Sequence, residues 1–463
     1  GEIGRKITIG QLNDLAEKIA QYLRKKGYIA AYVRIPEQVV KDGAVTIDVL
    51  PGKYGQIKFQ GSGHIDTGRL KAMAFAIKPG TVITRGTLER VLLTMNDLSG
   101  IEVKAFLSPS QVAGIADLTF EASDTARIRS MFYVDNWGNR DTGRVEYGLQ
   151  AAMNNLSENG DALNVGAVTT GRGLKGYVLG YCAWLGPDGL RFAVKHFRVK
   201  YALGDTSLNK GATGQVTDAG FSVSYPFIRG RSFSLYGTLG YDSKHLLDDN
   251  PNIGMHFPRT SGLWNLGLSG DFADSFGGGG NNRFSLTYYR GKLKITAPEA
   301  LANDSDNTNG DFVKTVFSYQ REQNMAKNLS LYISFTGQVA NKNLDSSEKL
   351  FIDGPEGVRA FLPGEVSGDQ GYKVTGEFRW RLPGWSDVDN DCYLNLFYDY
   401  GSVIISKRPS SAGSNRRSLM ATGLGLLWMA KPDYTVRLDY AWKIGRNEAT
   451  DNGRLWLQVN RYF

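Results

Sequence analysis

The chain has 463 residues, of which 41% are apolar and 11% aromatic, and its formal net charge is +8. No run of eighteen apolar residues occurs, so the sequence predicts no membrane-spanning helix; a β-barrel is not excluded, because its alternating strands average to a moderate hydropathy. The basic residues are spread over the whole length instead of lying on one stripe, which argues against nucleic-acid binding.

The N-terminal segment begins with a predicted helix. Residues 9–26 carry apolar side chains at helical spacing, and Gly27 ends this pattern. Short strands are predicted at 28–35 and 44–50, joined through a proline and a Lys-Asp-Gly turn.

The next segment repeats this plan in a fuller form. Its predicted elements are a strand at 54–60, helices at 66–77 and 84–97, and strands at 101–107 and 115–121. The order is strand, helix, helix, strand, strand, and the first segment lacks the opening strand and the first helix. We therefore interpret 1–53 as a small α/β module truncated at its N-terminus, and 54–124 as a second module.

From residue 125 onward, helical spacing gives way to strict alternation. Near the C-terminus, for example, Leu438, Tyr440 and Trp442 alternate with Asp439 and other polar or small residues. Sixteen such segments follow one another, and an even number is typical of outer-membrane barrels. The sequence predicts a mostly β chain with a sixteen-stranded transmembrane β-barrel over 125–463. One or two soluble β-sandwiches are the alternative, disfavoured by the continuous apolar face.

The longest predicted connection, 341–371, precedes a strand with one apolar and one charged face. A loop of about thirty residues is uncommon unless it is functional or disordered, and its apolar residues and turn formers argue against disorder. Its tip carries a single cation, Arg359, between apolar residues.

Three stretches resemble those of one known family. Residues 45–57 are similar to the end of its first POTRA module, residues 354–372 to its long sixth extracellular loop, and Phe397, Asp399 and Gly401 to its F-x-D-x-G strand motif. With two modules ahead of a barrel, the chain resembles the two-partner-secretion outer-membrane transporters, whose POTRA modules are strand-helix-helix-strand-strand units.

The loop-tip motif of that family, VRGY/F, is present here as Val358, Arg359, Ala360 and Phe361. Ala360 stands where the family has glycine. If the backbone there had a positive φ, alanine would cost on the order of 1 kcal/mol.

The resemblance implies a translocator in the outer membrane of a Gram-negative bacterium, with periplasmic modules that bind an unfolded exoprotein. Its partners would be one large secreted β-helical exoprotein (an adhesin, haemolysin or inhibition toxin), outer-membrane lipid and lipopolysaccharide, and the barrel-assembly machinery during biogenesis. Export through the lumen would need no nucleotide, and loop 341–371 would be the lumen gate. The alternative is a barrel-assembly factor of the same superfamily.

The resemblance also implies that the loop folds inward, and the strand pattern predicts its anchor. Asp399 and Glu377 lie on the lumen faces of two adjacent strands, and Arg359 is the natural partner for both. A solvated ion pair is worth roughly 0–1 kcal/mol, and breaking a buried one costs about 3–5 kcal/mol. We expect a partly wet latch between these limits.

The modules offer sheet edges to which an exoprotein segment could add a strand. The predicted edges carry Tyr28 and Val33 in the first module, and Ile101 and Val103 in the second.

Further expectations concern chemistry and assembly. No P-loop motif occurs, and the GxGxxG match at 171–176 precedes a predicted strand instead of a helix. The 4 histidines show no catalytic or metal spacing, and the acidic run 304–311 fails the EF-hand frame, so we predict no cofactor, no metal and no enzyme activity. The terminal Phe463 resembles the assembly signal of outer-membrane proteins, although Arg461 replaces its usual apolar residue.

Overall fold

The computed structural model describes residues 7–40, 43–204, 210–410, 413–445 and 452–463. No helix among these residues is long and apolar enough to cross a membrane.

The N-terminal segment forms one helix and one two-stranded sheet. Helix α1, Ile9–Lys25, begins with a capping box in which the Thr8 side chain accepts from the Gln11 amide. Strand β1, Tyr32–Arg34, pairs antiparallel with β2, Asp48–Leu50. Both strands are shorter than predicted, and Tyr28 lies before β1.

The second segment forms a three-stranded sheet covered by two helices. Its elements are β3 Lys53–Gly61, α2 Thr67–Met73, α3 Arg85–Asn96, β4 Ile101–Pro109 and β5 Ile115–Asp124. Strand β5 is central, parallel to β3 and antiparallel to β4. The helices cover a core that includes Tyr54, Met95 and Phe120, and burial raises the pKa of Tyr54 to about 12.

The remaining long strands close into one barrel of sixteen antiparallel strands, which confirms the predicted fold class. The barrel strands are β6 Ile128–Asp135, β7 Glu146–Asn154, β8 Ala162–Thr169, β9 Leu174–Leu185, β10 Leu190–Ala202, β11 Thr213–Arg229, β12 Phe233–Asn250, β13 Met255–Asp274, β14 Gly280–Ile295, β15 Gly310–Ala326, β16 Leu329–Ala340, β19 Gln370–Arg381, β20 Asn390–Ile404, β21 Arg416–Ala430, β22 Tyr434–Lys443 and β23 Gly453–Tyr462. Strand β23 pairs with β6 and closes the barrel. A short helix α4, Pro298–Ala302, lies between β14 and β15.

The alternating pattern sorts side chains between the two faces of the wall. On β20, Leu394, Leu396 and Tyr398 are exposed on the outer face, whereas Asn395 and Phe397 are buried on the inner face. An outer face of large apolar side chains is what a lipid environment requires.

The second segment packs against the end of barrel strand β11. Arg229, at the end of β11, donates two hydrogen bonds to the Asp97 carboxylate at 2.9 and 2.8 Å. Arg90 on α3 donates to the carbonyls of Pro226 and Phe227. These bidentate and backbone contacts fix the orientation of the second segment beneath the barrel.

Candidate functional site: the loop anchored to the inner barrel wall

The connection between β16 and β19 folds back on itself before it meets the wall. Strand β17, Leu350–Phe351, pairs with β18, Ser367–Gly368. The Asp353 carboxylate accepts from the amides of Gly364 and Val366. The tip of the loop is therefore held as a compact unit.

The apolar side of this tip packs on the inner face of the barrel. Ile352, Val358 and Phe361 are buried against residues of β20, β21 and β22 in one cluster. The loop thus contacts the wall instead of extending into solvent.

Arg359 places its guanidinium among three inner-wall carboxylates. Its Nε and Nη2 donate to the two carboxylate oxygens of Asp399 at 2.8 and 3.0 Å. Its Nη1 lies 3.3 Å from both Glu377 Oε2 and Asp439 Oδ2. The structure therefore brings together the three residues named from the sequence and adds Asp439 on β22.

An aromatic ring completes the arginine site. The Arg359 Cζ atom lies 3.2 Å from the centroid of the Phe397 ring, in cation–π geometry. The indole N–H of Trp456 donates to the Arg359 carbonyl. Phe397 and Asp399 of the strand motif thus contact the same guanidinium.

Two of the three carboxylates also form ion pairs with arginines of the barrel wall. Arg379 Nε lies 3.1 Å from Glu377 Oε1, and Arg437 Nε lies 2.8 Å from Asp439 Oδ2. Three guanidinium groups therefore face three carboxylates, and this balance makes the burial of so many charges tolerable.

The expectation of a partly wet latch is wrong for the central pair. Arg359 is 2% exposed and Asp399 is fully buried, because Phe397, Val358 and the loop backbone enclose them. The site is open on the side where Arg379 and Arg437 line a polar cavity of about 370 Å³.

Glycines on β21 make room for this arrangement. A Cβ at Gly423 would lie 2.3 Å from the Phe397 ring, and one at Gly425 would lie 2.2 Å from Asp439 Oδ1. Larger residues there would displace the ring and the carboxylate that contact Arg359.

Ala360 departs from the family motif without strain. The positive φ values among the described non-glycine residues are at Asn155, Glu158 and Asn307, so Ala360 is not in the left-handed region. Its methyl group is fully buried in the loop–wall cluster. The conditional cost of alanine therefore does not arise.

Gly401, the last residue of the strand motif, lies directly beneath the loop. A Cβ added there would lie 2.9 Å from the Ile352 Cβ and 3.3 Å from Val358 Cγ2. Gly376, on the neighbouring strand, has no atom within 4 Å of an added Cβ.

We predict that Gly401→Val displaces the loop tip, because overpacking a filled site costs roughly 1–3 kcal/mol. Single-channel conductance in planar bilayers should rise relative to wild type. Gly376→Val is the matched control and should conduct like wild type. Equal conductance of all three proteins would show that the loop–wall contact does not set the conductance.

A second attachment holds the base of the loop and was not found from the sequence. Glu348 is 1% exposed and lies between Lys244 Nζ on β12 and Lys314 Nζ on β15, at 2.6 and 2.8 Å. Asp345 pairs with Arg259 on β13 at 3.1 Å. The alternating pattern of β12 and β15 places both lysines on the inner face of the barrel, and this was the sequence signal for a loop carboxylate between them.

The proposed cargo edges differ from expectation. Strand β4 is at an edge of its sheet, but the side chains of Ile101 and Val103 are buried in the core. The Asn96 side chain bonds to both the amide and the carbonyl of Val103. A strand added at Val103 would have to displace Asn96; in the first segment, Val33 lies at the centre of β1.

The C-terminal Phe463 closes the barrel seam through its backbone. Its amide donates to the Ser130 carbonyl at 2.9 Å. The guanidinium of Arg461 lies over the rings of Tyr434 and Phe463, at 4.2 and 5.2 Å from their centroids. The arginine thus stacks on the aromatic residues at this end.

Comparison with known proteins places the chain among secretion proteins. The family of haemolysin secretion/activation proteins ShlB/FhaC/HecB matches residues 114–427, and the ShlB-type POTRA domain matches residues 2–52. The heme/hemopexin transporter protein HuxB of Haemophilus influenzae strain 86-028NP is 27% identical over 469 residues, covering 100% of this chain and 82% of HuxB.

Two further proteins show the same likeness. The outer membrane transporter CdiB of Dickeya dadantii is 22% identical over 403 residues, which cover 82% of this chain and 68% of that protein. The solved structure of CdiB from Escherichia coli covers 100% of this chain and 86% of its own, with a TM-score of 0.80 and 18% identity. The latter shows a shared fold.

Proposed function

Because this chain belongs to the haemolysin secretion/activation family ShlB/FhaC/HecB, the outer-membrane transporters of two-partner secretion, we propose that it exports its exoprotein through a lumen gated by loop 341–371. The family is one of transporters, and the POTRA segment is periplasmic. The exoprotein is bound unfolded by two modules, 1–53 and 54–124, and passes through the barrel, 125–463.

The buried Arg359 site is the observation that carries the gate. One side chain of the loop is bonded to carboxylates on three wall strands, β19, β20 and β22. A loop held in this way occupies the lumen, and its release clears the path.

The energetics set a condition on this release. Removing one partner of a buried ion pair costs about 3–5 kcal/mol, whereas a solvated pair contributes roughly 0–1 kcal/mol. Opening is therefore accessible if water enters from the cavity beside Arg379 and Arg437 and solvates the charges as they separate. No nucleotide is needed, and folding of the exoprotein outside the cell draws the chain outward.

The periplasmic entry site lies between the two modules. A groove of about 520 Å³ is lined by Tyr32 and Arg34 of β1 on one side and by Leu107 and Val112 near the end of β4 on the other. The groove joins the β1 edge to exposed apolar side chains, so an extended segment can add main-chain hydrogen bonds there and bury its own apolar residues.

The proposed function comes with three kinds of partner. The cargo is one dedicated large β-helical exoprotein, and the outer wall contacts outer-membrane lipid and lipopolysaccharide. The barrel-assembly machinery receives the C-terminal strand that ends at Phe463.

The test is secretion by the full-length protein co-expressed with the exoprotein proposed as its partner. We expect the exoprotein in the medium with the transporter and not without it. An exoprotein absent from the medium in both cases, with loss of other outer-membrane barrels when this protein is depleted, would support a barrel-assembly factor instead.

A further inference from the structure

A group of cations lies at the extracellular ends of β9 and β10. Lys175 on β9 is directly opposite Lys200 on β10 in the strand register. Arg172 lies in the turn that precedes β9, and all three side chains are exposed. Like charges directly opposite one another across two strands repel, so this arrangement is unfavourable without an anion between them.

These lysines are on the outer face of the barrel. Lys200 shares its face of β10 with the exposed Val194, whereas Lys195 on the other face pairs with Asp218 and Asp242 in the lumen. Lys175 shares its face of β9 with Tyr177, whose hydroxyl contacts His196 on β10.

The cations border a cleft of about 360 Å³. Its lining includes Arg172, Lys175 and Lys200, with Gln215 and the apolar Leu247 at its far side. Within the described part of the chain, no acidic side chain lines this cleft and none of the three cations has an ion-pair partner. The cleft therefore has a positive charge that this part of the protein leaves uncompensated.

We propose that this cleft binds the phosphate groups of lipopolysaccharide in the outer leaflet. A phosphate between Lys175 and Lys200 relieves their repulsion through charge-assisted hydrogen bonds, and Leu247 offers an apolar contact to the glycolipid. The place in the fold selects this lipid, because the extracellular strand ends of an outer-membrane barrel meet the leaflet built from phosphorylated glycolipid. Phospholipid head groups lie at the opposite strand ends.

The test measures lipopolysaccharide bound to the full-length protein in detergent, by native mass spectrometry after incubation with purified lipopolysaccharide. The site variant is Lys175→Gln with Lys200→Gln. The matched control is Lys292→Gln with Lys294→Gln, which removes the same charge from outward-facing positions of β14 where Lys292 is opposite Asp311 and Gly262, and Lys294 is opposite Thr260. We expect at least about fivefold less bound glycolipid in the site variant and no change in the control.

Two further probes identify the ligand. Enzymatically dephosphorylated glycolipid should bind wild type as weakly as the phosphorylated form binds the site variant, and phosphatidylglycerol should not discriminate between the variants. Equal losses in both double variants would overturn the site and leave only general attraction to a basic rim. Full binding by the site variant, with its barrel shown folded by heat-modifiable migration, would also overturn it, whatever the outcome for secretion.

Discussion

Arg359→Ala is expected to reduce exoprotein secretion by at least about tenfold while the barrel still assembles. The substitution leaves Asp399, Glu377 and Asp439 without their shared counter-charge. Removing one partner of a buried pair costs about 3–5 kcal/mol, which shifts the seated loop toward the released state by roughly 10²–10⁴-fold. In the proposed cycle the loop must return to the wall as well as leave it, so a loop that stays released does not complete the transport cycle. Secretion is measured as exoprotein in the medium, and assembly as heat-modifiable migration of the barrel.

The matched control is Arg379→Ala in the same cluster. Arg379 also pairs with Glu377, but 24% of its side chain is exposed and Arg359 remains to compensate the carboxylate. We expect less than a twofold change. Arg359→Lys should be intermediate, because an ammonium cannot reproduce the forked contact with Asp399. If a folded Arg359→Ala protein secretes at the wild-type level, Arg359 is not part of the gate.

The barrel could be predicted from the sequence because its wall separates two environments at every residue. Lipid on one side and the lumen on the other impose alternation, and all sixteen segments are strands in the structure. The alternation of apolar and polar residues is lost where both faces of a strand contact water. Strand β12 continues to Asn250, past the apolar belt, where Asp248 and Asp249 interrupt the alternation.

The loop anchor could be predicted only in part. Asp399 and Glu377 are on adjacent strands, so their common face follows from alternation alone. Asp439 is two strands from Asp399, and its approach to Arg359 depends on Gly423 and Gly425 of β21 leaving the space between them open. Such a contact requires the register of two strand pairings, which a pattern of single residues does not contain.

The burial of Arg359 could not be predicted from single residues either. A lone arginine in a loop is usually solvated, and the depth of its site comes from Phe397 beneath it and the loop's own apolar residues around it. These contacts exist only after the loop has folded onto the wall.

A disulfide between the loop and the wall provides the most direct test of loop movement. In Ile352→Cys/Gly401→Cys, the added Cβ of residue 401 begins 2.9 Å from the Cβ of residue 352. Disulfides span about 3.5–4.5 Å between Cβ atoms, so a shift of roughly 0.6 Å or more allows the bond to form. The native Cys182 and Cys392 are buried and free. We expect the oxidised double variant to lose secretion almost completely and to regain at least about half of it when cells are grown with a reductant, because a covalent bond cannot be opened as an ion pair can.

The single variants Ile352→Cys and Gly401→Cys are the controls, since neither can form the intended bond and neither should respond to the reductant. Wild type under the same reductant accounts for effects on the exoprotein itself. If the cross-linked protein, with its bond verified by mass spectrometry, exports its exoprotein at the rate of the reduced form, the loop does not leave the wall at residue 401 during transport. Loss of secretion in the oxidised double variant alone would show that the loop must leave the wall during transport, because the bond restrains only the distance between the loop and β20. The ion pairs at Arg359 then act as a reversible form of the same restraint, strong enough to hold the loop and open to solvation from the cavity beside Arg379.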